Sequence, residues 1–179
     1  MPALALTDHG NMYGAVQFYV EAMKKGVKPI LGCELYLAPR TRFDKQGKSD
    51  AKHQHLTLLA KNEEGYRNLI NLVSIASLEG MYYKPRIDWE LLKQYGKGLI
   101  ALSGCIEGSV AQKVLAGDMA EARATAVRYK EIFGEDFYFE IQNHGLPEQV
   151  IVQKALCELS AELNIKLVAT NDAHYITAE

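Results

Sequence analysis

The sequence predicts an α/β fold whose strands converge on one polar rim, and two observations predict it. Short apolar runs alternate with longer stretches in which apolar residues recur every three or four positions, the patterns of buried strands and amphipathic helices. Six of the runs also carry, at or beside one end, a residue able to bind a metal or move a proton. These are Thr7-Asp8-His9-Gly10 after Pro2 to Leu6, Cys33-Glu34 inside Pro29 to Ala38, and His53-Gln54-His55 ahead of Leu56 to Ala60. The others are Ser103-Gly104-Cys105 after Gly98 to Leu102, Gln142-Asn143-His144-Gly145 after Phe137 to Ile141, and Asn171-Asp172-Ala173-His174 after Leu167 to Thr170. Polar clusters repeated at strand ends are how an α/β enzyme assembles a site.

Taken in order, the first strand begins within two residues of Met1, and Glu179 comes soon after the last cluster. Domains ordinarily carry slack at their ends, so the sequence reads as a segment of a longer protein. Met12, Val16, Tyr19 and Met23 mark one face of a helix that Asn11 can cap and Gly26 can end. Tyr66, Leu69, Ile70, Val73 and Ala76 mark another, after Asn62. Asp118 with Glu121 forms a capping-box-like start for a helix bearing Met119, Ala122, Ala126, Tyr129 and Phe133. Pro147 suits the first turn of a last helix with the stripe Val152, Leu156, Leu159 and Leu163. Shorter helices are expected over 88–94 and 107–115. The order is βαββαααβαβ-like, ending in a strand and loop, and repeated βα units predict parallel strands in an open sheet or a barrel. Between Pro39 and Lys52 lies a polar loop with Arg40, Arg42, Lys45, Lys48 and Lys52 against Asp44 and Asp50. A loop of that length is functional or mobile, and the plainer expectation is a solvated excursion.

Bulk properties narrow the function. A chain of 179 residues suits one domain with a substantial core. A net charge of −2 creates no field that would recruit nucleic acid unaided. No apolar run approaches the ~20 residues that span a bilayer, so no membrane association is expected. Three widely spaced cysteines argue against a disulfide framework and for a reducing compartment, read as the cytoplasm. There is no Walker loop, no dinucleotide fingerprint and no Gly-x-Ser-x-Gly elbow.

The chemistry lies in the clusters. Asp172 and His174 point the same way if extended, so both can address one ion; the alternative is an Asn-Asp turn beside an incidental histidine. His9 is read as a ligand and Asp8 as its orienting or bridging acid, against the plainer reading of Asp8 as a helix-entry residue. Glu34, inside an apolar run, must be paired, protonated or metal-bound if buried. Alternation sends Cys33 to the opposite face, where it packs. His55 is expected to point inward while His53 stays solvated. Cys105 is a thiolate ligand or a small hydrophobe. Cys157 packs in its helix, and His144 sits in a turn. A mixed N/O set with a possible sulfur suits zinc, manganese or iron, and a multinuclear centre of that kind suits phosphoester hydrolysis.

Five stretches carry a resemblance: Ala3 to Asn11 (ALALTDHGN), Lys28 to Glu34 (KPILGCE), His55 to Asn62 (HLTLLAKN), Leu99 to Cys105 (LIALSGC) and Ala169 to Tyr175 (ATNDAHY). Together they resemble the PHP (polymerase and histidinol phosphatase) domain, in the form found at the N-terminus of bacterial DNA polymerase III alpha subunits. Pro85-Arg86-Ile87-Asp88 followed by Leu91-Leu92 is similar to that form rather than to a histidinol phosphatase. The resemblance covers essentially the whole chain.

It implies a distorted (β/α)7 barrel with a cluster of up to three divalent metal ions, zinc, manganese or iron, at one end. It places His9, Glu34, His55, Cys105, Asp172 and His174 at metal-ligand positions; Asp8, His9, Asp172 and His174 are read as the catalytic set. His144 matches no ligand position. The family's first motif, a His-x-His on its first strand, and a following acidic ligand have no counterpart ahead of Thr7. Residues 1–179 are therefore expected to form a partial barrel lacking its first strand and C-terminal part. The implied function is a metal-dependent phosphoesterase or 3′–5′ proofreading module of a replicative polymerase. Its partners would be DNA, through the full-length enzyme, and holoenzyme subunits including a proofreading exonuclease. Two other functions are a non-catalytic module that stabilises the polymerase and docks that exonuclease, and a histidinol-phosphate phosphatase. No polymerase palm is present.

Overall fold

Strand β1 (Ala3–Leu6) pairs in parallel with β2 (Lys28–Leu37) across the helix α1 (Ala15–Lys24) in the computed structural model, which describes residues 1–175. The polar loop follows and holds one short helix, α2 (Gly47–Ala51). It leads to β3 (Gln54–Ala60), antiparallel to β2. Helix α3 (Glu63–Leu78), the two-residue strand β4 (Arg86–Ile87) beside β2, and α4 (Trp89–Tyr95) come next. Strand β5 (Leu99–Leu102) lies antiparallel to β3. Helices α5 (Ser109–Leu115) and α6 (Met119–Phe133) lead to β6 (Phe137–Ile141), and α7 (Pro147–Leu163) leads to β7 (Lys166–Ala169). The strand order is β1-β2-β3-β5-β6-β7. The sheet curls until His9, just after β1, meets His174, just after β7. This is a partial barrel of the expected mixed α/β class.

The expectation of parallel strands holds for β1–β2, β5–β6 and β6–β7 but fails at β3. A parallel neighbour needs a crossover that carries the chain back along the sheet, whereas the β2–β3 loop simply reverses it. The reversal has a functional consequence. The start of β3 lies at the rim where the other strands end, so His55 precedes its run while His9, Cys105 and His174 follow theirs.

Side chains alternate across the strands. Cys33, Leu35, Leu37, Leu56, Leu58, Ala101, Phe137 and Phe139 are buried against Leu69, Leu72, Leu92, Tyr129 and Leu156 of the helices. The opposite face carries Glu34, Tyr36, His55, Thr57 and Glu140. Helix starts follow the expected chemistry: Asn62, Asp88 and Asp118 accept the backbone N–H groups of Gly65, Leu91 and Glu121. Pro147 occupies the first turn of α7.

Two helix expectations are corrected. Asn11 does not cap α1, which begins at Ala15; its side chain bridges the His9 carbonyl and the Tyr13 N–H instead. The expected stripe of α1 faces outward, with Val16, Tyr19 and Met23 exposed by 71%, 47% and 56%. Ala15 and Ala22 are the buried residues, because small side chains let the helix lie close on β2. In α3, Leu72 joins Leu69 and Ala76 in the core and Ile70 is exposed.

The loop before β3 is not a free excursion. Arg86, fully buried, donates to the carbonyls of Gly80, Asp50, Arg42 and Asp44. Arg40 pairs with Asp50, and Arg42 pairs with Asp88 and Glu79. No helix among the described residues is long and apolar enough to cross a membrane.

Candidate metal centre

The rim is assembled by backbone register before any side chain acts. Beyond β1 the chain keeps pairing with β2: Glu34 N–H donates to the Asp8 carbonyl at 3.0 Å and Gly10 N–H to the Glu34 carbonyl at 2.9 Å. That pairing sets His9 beside Glu34. Gly10 has φ +66°, and a Cβ there would lie 2.7 Å from Pro85 Cγ and 3.0 Å from the Tyr36 ring. Only glycine meets both demands. Across the sheet, Gly104 (φ +82°) lets the turn after β5 press on β3, since a Cβ would lie 2.8 Å from the His55 carbonyl oxygen.

Glu34 is the hub. Its Oε1 lies 2.5 Å from His55 Nδ1 and its Oε2 3.6 Å from His9 Nδ1. Cys105 Sγ is 3.6 Å from the same His55 nitrogen. Donor atoms of Glu34, His55 and Cys105 lie within 4.8 Å of one another. On the other side of His9, its Nε2 faces His174 Nε2 at 3.1 Å. His174 Nδ1 lies 2.9 Å from the Asp172 carbonyl oxygen and 3.8 Å from its carboxylate. Tyr36 forms an aromatic wall against His9, His53 and His55.

Electrostatics follow from this packing. Burial pushes the Glu34 carboxyl up, but the hydrogen bond and charge of His55, with His9 and His174 adding, outweigh it and hold the carboxyl below its ordinary range. Burial pushes His55 down, yet Cys105 and Glu34 together raise it to about 10. The Cys33 thiol, buried on the far face, is pushed up to about 12 by desolvation. Burial likewise raises Glu140, against hydrogen bonds from Thr170 and Gln142 that lower it.

Of the residues singled out from the sequence, His9, Glu34, His55, Cys105 and His174 meet at this rim, with Asp172 beside His174. The donor set fits a borderline divalent cation: imidazoles, a carboxylate with its oxygens turned to different imidazoles, and a thiol. Two imidazole nitrogens aimed at each other match a shared cation as well as they match one hydrogen bond. Asp8 makes no hydrogen bond or ion pair with an imidazole among the described residues; its carboxylate accepts the Gly14 N–H at 3.0 Å and so holds the entry to α1. His53 is half-buried against Tyr36, and its Nδ1 lies 3.2 Å from the Ala51 carbonyl oxygen. Cys33 packs in the core as expected, whereas Cys157 is exposed rather than packed. Tyr36 and Glu140 went unnoticed in the sequence, although strand alternation from Glu34 and from Ile141 would have found both.

The sequence matches the PHP domain family over residues 1–144. The chain belongs to the PHP domain family. Its similarity to the DNA polymerase III subunit alpha of Thermus aquaticus is 53% identity over 99% of this chain and 15% of that protein. The Treponema pallidum subunit is 51% identical over 99% of this chain and 15% of its own length. The Aquifex aeolicus subunit is 40% identical over 99% and 16%. The chain thus spans about 15% of the length of these curated relatives. Among solved structures, a Bifidobacterium adolescentis chain named as a candidate metal-dependent phosphoesterase superposes with a TM-score of 0.53. At 13% identity, with 98% of this chain and 78% of that one covered, the likeness is one of fold. The PHP resemblance read from the motifs is borne out, as is the partial PHP barrel.

Proposed function

We propose that residues 1–179 are part of the PHP domain of a longer bacterial replicative polymerase, the DNA polymerase III alpha subunit, and that the rim is a metal-dependent phosphoesterase centre. Supporting it are the near-full-length similarity of this chain to such subunits and the convergence of metal-binding side chains on one PHP rim. The observation that carries the site is Glu34 set between His55 and His9, with His9 Nε2 facing His174 Nε2. His9, Glu34, His55, Cys105, Asp172 and His174 would hold zinc, manganese or iron, with up to three ions in the complete domain. Divalent ions in such a site polarise a phosphoryl oxygen and supply hydroxide near neutral pH.

The chain's own residues orient this chemistry. Glu34 spaces the imidazoles of His9 and His55, and the exposed His174 and Asp172 close the side open to solvent. Asp8 acts through the loop it fixes with Gly14, the loop that carries His9. The substrate class is a phosphodiester, and the task proposed is 3′–5′ hydrolysis on DNA held by the full-length polymerase, in the cytoplasm, alongside the holoenzyme's proofreading exonuclease.

Elemental analysis and phosphodiesterase assays on the full-length protein test this. Transition metal bound at the rim, with metal and hydrolysis both lost in His174→Ala, is the expected result. Absence of metal, or unchanged metal and hydrolysis in His174→Ala, would overturn the catalytic reading and leave a structural module that stabilises the polymerase.

A further inference from the structure

His144 and Glu140 are the chemistry-bearing groups near the rim that the donor set does not use. Both face the segment that carries Asp172 and His174. Thr170 Oγ1 donates to Glu140 Oε1 at 2.6 Å, and Gln142 Nε2 reaches the same two oxygens at 3.2 and 3.3 Å. One residue on, the Asn171 carbonyl lies 2.7 Å from His144 Nε2.

The network defines the tautomer of His144. Gln149 Oε1 accepts the His144 backbone N–H at 2.7 Å, so the Gln149 amide nitrogen is the atom 2.9 Å from Nδ1. Nδ1 must then offer a lone pair, and Nε2 carries the hydrogen that the Asn171 carbonyl requires. Both ring nitrogens are thereby committed, so His144 is no spare ligand.

Residues 172–175 have no regular structure, and Asp172 sits at φ +47°. Among the described residues, the segment's hydrogen bonds outside the rim itself go to β6 and the turn after it, through Thr170 N–H to the Ile141 carbonyl, Glu140 and His144. We propose that Glu140 and His144 are positioning residues of the metal centre, holding residues 170 and 171 so that His174, with Asp172 beside it, faces His9. The inference rests on the metal-centre reading given above. Groups that orient ligands from behind typically change metal affinity by about 10–100-fold when removed.

Glu140 could instead be a further ligand, since its Oε2 is buried and has no partner among the described residues. Glu140→Gln separates the two roles, because the amide keeps the acceptor for Thr170 and loses the carboxylate charge.

The test is Mn²⁺ and Zn²⁺ affinity by competition with a chelator on the full-length protein, together with the thermal midpoint of the metal-free form. Glu140→Ala and His144→Ala are expected to lower affinity about 10–100-fold, with metal-free midpoints near wild type, and Glu140→Gln is expected to restore affinity. Loss in Glu140→Gln equal to that in Glu140→Ala would make Glu140 a ligand and overturn its positioning role. Unchanged affinity in both alanine variants, or a matching fall in the metal-free midpoint, would overturn the proposal. His55→Ala is the control: if it too retains full affinity, or if the wild type binds neither ion, the metal-centre reading itself has failed.

Discussion

Glu34 and His55 sit so close that each sets the other's protonation, and metal must compete with that pairing. His55 is raised from 6.5 to about 10, so its contribution to metal-free stability is fully present below about 6.5 and is lost as pH rises through about 10. Glu34 is lowered from 4.5, so its contribution is present above about 4.5 and is lost as pH falls through the folded value. Chelator-treated protein should therefore lose stability between about pH 6.5 and 10, and His55→Gln should flatten that decline in urea unfolding. Metal affinity should rise over the same range, because a ligating imidazole must shed its proton. The cysteines make a second test. An alkylating reagent at pH 8 should label exposed Cys157 first and Cys33 only on unfolding, since desolvation keeps that thiol protonated. Cys105, half-buried at the rim, should be protected by zinc and released by a chelator. Residue types and strand alternation were enough to separate Glu34 from Cys33 in the sequence. They left Asp8 open between an orienting or bridging acid and a helix-entry residue, and its carboxylate accepts the backbone N–H of Gly14 at the entry to α1.

Helix caps and loop anchors act at the level of single elements. Asn62→Ala should destabilise the protein by about 1 kcal/mol through the uncapped start of α3. Arg86→Met should cost more, because it removes the donor to several buried carbonyls, at about 1–3 kcal/mol for each one left unsatisfied. The readout is a fall in the denaturant midpoint with new proteolytic cuts between residues 39 and 52; resistance to cleavage there would show that the Arg40 and Arg42 ion pairs suffice. Composition alone made that loop look solvated. The buried anchor belongs to β4, a two-residue strand far along the chain, and no local pattern announces it. The outward face of α1 was misread for a related reason: periodicity marks an apolar stripe, but which side of a helix meets the sheet depends on how closely it approaches. Ala15 and Ala22 won that place by being small.

At the scale of the molecule, β1 and β7 end the strand order, and α1 turns Val16, Tyr19 and Met23 outward beside β1. Exposed strand edges and apolar patches favour association. Residues 1–179 expressed alone should therefore self-associate with rising concentration, and Val16→Lys with Met23→Lys should reduce it in sedimentation; a stable monomer at high concentration would contradict this. The sequence by itself determined most element types, most helix starts, the core face of the strands and the PHP motifs, because these depend on neighbours within a few residues. Tertiary structure alone decided that β3 runs backwards, that Glu34 stands between two imidazoles, and that His144 and Glu140 face the Asp172 segment. Those facts depend on pairings between residues far apart in the chain. Local periodicity carries no information about which distant strand a residue will lie beside, or in which direction it will run.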